Sequence, residues 1–185
     1  VNAASCDHLR RFHDNLQYLI TPEFSHILDI PHRGEAQALT WFTQELEYFL
    51  QRLRQHFDME ILDQDIERAI WDHNDFLKLL SGISELRKMD HPPLSGTEFS
   101  RMMLAAITSP KDLVREKIVQ FRQNLEQTPG MDNYRARLMI VGGQLDDPDY
   151  IKTIESTGAL VVADRVCTGS LPGLEPIKQG NDPIG

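Results

Sequence analysis

The chain has 185 residues, 41% of them hydrophobic, which is enough to bury a core; this excludes a disordered polymer and allows one domain or two small ones. Lys plus Arg number 19 against 28 Asp plus Glu, a formal charge of −9 that repels nucleic acid and anionic membrane surfaces. No run of about 18 apolar residues spans a bilayer and no charged start leads into an apolar stretch, so no membrane partner, no nucleic-acid partner and a cytoplasmic location are expected.

Val1-Asn2-Ala3-Ala4 reads as the last part of a strand, and Ser5-Cys6-Asp7 offers a helix start. Leu9, Phe12, Leu16 and Leu19 then recur at helical spacing as far as Thr21-Pro22. The stretch His26-Ile27-Leu28-Asp29-Ile30, closed by Pro31, reads as a second strand returning beside the first. From residue 34 to 127 the pattern is helical throughout. Ala38, Phe42, Leu46, Phe49, Leu53 and Phe57 mark one long amphipathic helix, and Ile66, Ile70, Leu77, Leu80 and Ile83 mark another. Ser95-x-x-Glu98 has the form of a capping box and opens a third helix through Met102, Met103 and Ile107. Ser109-Pro110 opens a fourth, with Val114, Ile118, Phe121 and Leu125 on its buried face.

Thr128-Pro129-Gly130 breaks the helical region, and residues 137–143 read as a buried parallel strand ending in the Gly142-Gly143 turn. Asp147-Pro148 begins a helix through Ile151 and Ile154 to a C-cap at Gly158, and Ala159-Leu160-Val161-Val162-Ala163 is the next strand. Such a βαβ unit gathers its strand ends on one edge, where ligands of open α/β sheets bind, and Cys167 lies just past that edge. The fold class expected is α/β, with residues 1–33 as the end of a first α/β unit, 34–130 as a helical region and 131–185 as the start of a second α/β unit. Both ends read as cut, because the chain opens inside a strand and stops at Asn181-Asp182-Pro183-Ile184-Gly185 with no closing element; an excised piece of a longer protein is expected.

Two cysteines far apart, without a Cys-x-x-Cys spacing, are no disulfide framework of the secreted kind. Cys6 sits at a helix N-terminus, where unpaired N–H groups and the helix dipole favour an anion and hence a thiolate. Cys167 occupies the turn Val166-Cys167-Thr168-Gly169-Ser170, where Gly169 relieves crowding and neighbouring N–H groups are available to a sulfur. The ordinary reading of a free cysteine is an inert small hydrophobe, and placement at two strand ends argues against it here. Arg10 and Arg11 are the one adjacent basic pair near a candidate site, although surface pairs of this kind are mostly just solvated. His8 and His13 are five apart and fall on different helix faces, unlike a metal pair at i and i+4. Gly142-Gly143 lacks the spacing of a dinucleotide-binding loop; Met102-Met103 reads as core; Ser170 reads as a turn-stabilising serine before a substrate contact.

Ala4-Ser5-Cys6-Asp7-His8-Leu9-Arg10-Arg11, Leu28-Asp29-Ile30-Pro31-His32, Asn74, Leu86-Arg87-Lys88, Pro92-Pro93-Leu94-Ser95-Gly96, residues 137–143, Asp146-Asp147-Pro148 and Asp164-x-x-Cys167-Thr168-Gly169-Ser170 follow one another in an order that resembles the 2-hydroxyacyl-CoA dehydratase and benzoyl-CoA reductase subunits. The resemblance covers almost the whole chain. It implies a helical region flanked by parts of two flavodoxin-like, Rossmann-like parallel-sheet units, with a [4Fe-4S] cluster between the halves. Cys6 and Cys167 carry over as two of its three cysteine ligands, the third being expected downstream of this chain, and thiolates sharing one cluster bring their sulfurs to about 6–7 Å. It further implies a heterodimer with a homologous subunit, an ATP-dependent activator protein that delivers an electron, and an acyl-CoA substrate. The reaction is then the radical dehydration of a 2-hydroxyacyl-CoA or the reduction of an aromatic acyl-CoA, with the catalytic residues unassigned and the piece alone inactive. Two other classes stand beside this one: a non-catalytic partner-binding or electron-relay relative, and a small-molecule binding module using the Gly142-Gly143 edge.

Overall fold

A computed structural model describes residues 1–170, 174–178, 180 and 183–184, so Asn181, Asp182 and Gly185 of the expected open tail lie outside the described residues. The architecture is mixed α/β, with two small parallel two-stranded sheets and a helical stretch between them in the sequence. The chain divides into two compact units, Val1–Ile70 with Lys178–Gly185, and Trp71–Ile177.

In the first unit β1 (Asn2–Ala3) pairs in parallel with β2 (Ile27–Leu28), joined by α1 (Asp7–Leu19). The Asn2 N–H donates to the His26 carbonyl at 3.0 Å and the Ala4 N–H to Leu28 at 2.8 Å. Both strands are shorter than the sequence pattern suggests. α1 forms as expected, yet it buries no residue: Phe12 is 53% and Leu19 74% exposed, so its apolar stripe is open. α2 (Ala36–Phe57) half-buries Ala38, Phe42, Leu46, Phe49 and Leu53 as their spacing requires, while Phe57 at its end is exposed. The helix stops where Asp58 turns left-handed, at φ 47°, and Arg54 and His56 place basic groups in its last turn, where the dipole favours them.

The second unit carries the main core. Phe76, Leu80 and Ile83 of α3 (Asp63–Leu86), Phe99, Met102, Met103 and Ala106 of α4 (Gly96–Thr108), and Ile118 and Leu125 of α5 (Lys111–Gln127) close around Leu94. Each large side chain removed from water contributes about 1.5–3 kcal/mol before entropy is charged against it. The Met102-Met103 pair packs in this core, as its spacing predicts, whereas Ile107 one turn on is 49% exposed. Ser95 caps α4 in a full capping box: it accepts from the Glu98 N–H at 3.2 Å, and the Glu98 carboxylate accepts from the Ser95 N–H at 2.8 Å.

β3 (Ala136–Val141) and β4 (Ala159–Arg165) are parallel and joined by α6 (Pro148–Glu155), with a register shift between Leu138 and Met139. The sequence marks β3 as a buried strand; the structure corrects this, for Met139 is 57% and Val141 72% exposed. β4 is the strand covered by helices, with Leu160 and Val161 buried. An apolar run states that a strand wants two covered faces; it does not supply the cover. α6 is capped by Asp147, and its C-terminal cap is Ser156 rather than Gly158, which follows two residues later at φ +90°. At one place β4 and α4 nearly touch: a Cβ on Gly96 would lie 2.5 Å from the Val161 Cβ, so a side chain there is excluded.

Candidate functional site

Cys6 is the N-cap residue of α1, in extended conformation, with no hydrogen bond from its side chain. Its carbonyl accepts from the Arg10 N–H at 3.3 Å, and the thiol is free and exposed. Arg10 and Arg11 are exposed beside it, and Arg11 shares a long ion pair with Asp14 at 3.7 Å, a solvated contact worth little.

Cys167 follows the end of β4 by two residues, and its turn is tied down on every side. The Cys167 N–H donates to the Gly143 carbonyl at 3.1 Å, which draws the end of β3 against the turn. The Thr168 hydroxyl donates to the Leu145 carbonyl at 2.7 Å. Beneath the turn lies Asp164, whose Oδ2 accepts from the Ser170 N–H at 2.7 Å and whose Oδ1 accepts from the Ser170 hydroxyl at 3.0 Å. A Cβ on Gly169 would overlap that carboxylate, so the glycine is required for space. Ser170 is thus a turn-stabilising residue. The N–H groups of Cys167, Gly169 and Ser170 all bond to oxygen, which corrects the expectation that they wait for a sulfur.

Asp164 is held in turn by Arg87, with Nη1 donating to Oδ1 at 2.7 Å and both side chains about 95% buried. The guanidinium also donates to the Ser84 and Ser170 hydroxyls at 3.1 and 3.3 Å, and its Cζ lies 3.4 Å from the centre of the Phe99 ring. Burial pulls the Arg87 pKa below its ordinary value, and the Asp164 carboxylate beside it pushes the pKa back up. The consequence for Cys167 is geometric: an exposed thiol sits on a turn braced by a buried ion pair. Of the two, Arg87 has a sequence signal: Phe76, Leu80, Ile83 and Arg87 step by four, three and four, which continues the buried stripe of α3 to the arginine just past its end.

In the first unit the unusual group is His26, 4% exposed and stacked on Phe49 at 4.8 Å. Arg52 has only donors, so its contact with Nδ1 at 3.2 Å places the ring proton on Nε2, which faces Glu45 at 3.6 Å without a hydrogen bond. Burial, then the Arg52 charge, lower its affinity for a proton below the ordinary histidine value, against the pull of Glu45. The unfolded chain therefore takes up the proton first. Stability from this site is complete above about pH 6.5 and is lost as pH falls through the depressed folded value. Urea midpoints followed by circular dichroism are expected to drop between pH 7.5 and 5.5, with a shallower drop in His26→Gln, which keeps an acceptor for Arg52 and does not titrate; an unchanged slope would contradict the assignment.

As metal donors, the two cysteines are chemically suited: both are free, exposed, and placed at a helix N-terminus and a braced strand-end turn. They lie in different compact units, Cys6 in the first and Cys167 in the second. Among the described residues no group of three or more His, Cys, Asp or Glu is arranged to hold a metal ion. No described helix is long and apolar enough to cross a membrane. The model of the 2-hydroxyglutaryl-CoA dehydratase, D-component family matches residues 1–184. A search of curated proteins finds no match. The chain belongs to the 2-hydroxyglutaryl-CoA dehydratase D-component family.

Proposed function

We propose that this chain is part of the iron-sulfur subunit of a 2-hydroxyacyl-CoA dehydratase-like enzyme, and that Cys6 and Cys167 are two cysteine ligands of its [4Fe-4S] cluster. Family membership supports the enzyme class, and the braced turn that presents an exposed Cys167 supports the ligand assignment. When bound, such a cluster supplies one-electron chemistry at a potential tuned by its surroundings. The chain's own residues would hold it: Cys6 from the N-cap of α1, Cys167 from the turn fixed by Asp164, Arg87 and the Gly143 carbonyl. The third cysteine is assigned to sequence beyond residue 185.

On this reading the reaction is the radical dehydration of a 2-hydroxyacyl-CoA or the reduction of an aromatic acyl-CoA. A homologous subunit completes a heterodimer in the cytoplasm, and an ATP-dependent activator provides the electron. Residues 34–130 form the helical region between the parts of two sheet units, 1–33 and 131–185. Full-length protein purified without oxygen is expected to be brown, with about four irons per subunit. Colourless, iron-free protein obtained under reconstituting conditions would overturn the proposal.

A further inference from the structure

Beside the Cys167 turn, inside the second unit, lies a cavity of about 330 Å³. That volume is at the lower end of the range for small-molecule sites, about 300–1,000 Å³. Its walls are mostly hydrocarbon: Phe76 and Leu80 of α3, Met103 and Ala106 of α4, and Leu174 and Ile177 beyond the turn. Ile177 is pinned in place, because the Asn74 side chain donates to the Ile177 carbonyl at 2.8 Å and accepts from its N–H at 2.7 Å. Gly169, two residues from Cys167, belongs to the same wall, so whatever fills the cavity abuts the cysteine turn.

Among the described residues, the charged and titratable groups of the lining are His73, Lys111 and Glu175. Lys111 is already within 3.6 Å of the Asp72 carboxylate, and Glu175 adds a second negative group. Burial and the Lys111 charge both favour the neutral form of His73. Among the described residues, the lining thus offers a ligand carboxylate no cation that is not already shared.

We infer that this cavity receives the hydrocarbon tail of an acyl group, so that the chain selects an apolar acyl thioester over one carrying a second carboxylate. The inference rests on the acyl-CoA reading above and adds the substrate class. Dissociation constants of butyryl-, hexanoyl-, octanoyl- and glutaryl-CoA, measured by calorimetry on the full-length protein, test it. Affinity is expected to rise about fourfold with each added methylene, the equivalent of ~0.8 kcal/mol per buried CH₂, until the cavity is full. Glutaryl-CoA is expected to bind at least about tenfold more weakly than hexanoyl-CoA, since its second carboxylate must leave water without a partner.

Ala106→Phe fills the cavity and is expected to abolish the rise beyond butyryl-CoA. Ile107→Glu, at the half-exposed rim, is expected to weaken octanoyl-CoA binding with no change in the thermal midpoint, which separates a lost site from a lost fold. Equal affinity along the series, tightest binding of glutaryl-CoA, an unchanged Ala106→Phe profile, or no acyl-CoA binding at all would overturn the inference. Iron content measured on the same preparation keeps the two readings apart. A chain-length series that holds in iron-free protein counts against the cluster alone, and iron-loaded protein indifferent to chain length counts against the cavity alone.

Discussion

Asp164→Ala is expected to destabilise the second unit by about 3–5 kcal/mol, because it leaves the Arg87 guanidinium buried without its counter-charge. The cost is set by burial: both side chains are about 95% removed from water, and Arg87 Nε has no hydrogen-bond partner even with the aspartate present. The loss also reaches the cysteine turn, since the Ser170 N–H and hydroxyl both use the same carboxylate. Two variants separate these effects. Arg87→Met with Asp164→Leu removes both charges and is expected to recover much of the stability, as apolar replacement of buried ion pairs commonly does. It does not restore the bonds to Ser170. Chemical denaturation of the single and double variants gives the coupling directly; additive losses would mean that the pair is not acting as a unit.

Glu155→Ala is the second large effect, expected at about 3 kcal/mol or more from several donors left without an acceptor. The Glu155 carboxylate accepts from the Gly96 N–H at 2.8 Å, the Thr97 N–H at 3.2 Å, the Thr97 hydroxyl at 2.6 Å and the Val161 N–H at 3.1 Å. It therefore fastens the N-terminus of α4 to β4 and to the end of α6, at the place where Gly96 allows helix and strand to meet. Negative charge near the first turn of α4 also suits the helix dipole. Glu155→Gln offers one carbonyl oxygen where two carboxylate oxygens stood, and turns a donor toward donors, so it is expected to recover only part of the loss. Full stability in Glu155→Gln, read from urea midpoints, would mean that the contacts are not individually important.

Helices were legible wherever apolar residues kept a period near 3.6, and the capping box at Ser95 and Glu98 announced α4 to the residue. Periodicity describes one element at a time, however. The stripes of α1 and the run in β3 state what those surfaces would bury, and nothing local says that Phe12, Leu19, Met139 and Val141 stay exposed. The cysteines stood out by residue type and by their strand-end positions. Arg87 was not singled out, although its phase with Phe76, Leu80 and Ile83 is a local signal that marks it; its partner, 77 residues away, carries none. Glu155 had no signature, because its acceptor role depends on Gly96 and Thr97, 59 and 58 residues earlier. The cavity was invisible for the same reason: it is made by α3, α4 and the segment after Gly169 together.

The assignment of Cys6 and Cys167 to one cluster is tested most directly by iron stoichiometry in single-cysteine variants of the full-length protein, purified and reconstituted without oxygen. Serine is close in size at both positions and both are exposed, so the fold is expected to persist, as circular dichroism can establish on the same samples. With about four irons in the parent protein, Cys6→Ser and Cys167→Ser are each expected to lose most of the iron and the visible absorption of the cluster. Retention of the full iron content in either variant would contradict the assignment of that residue.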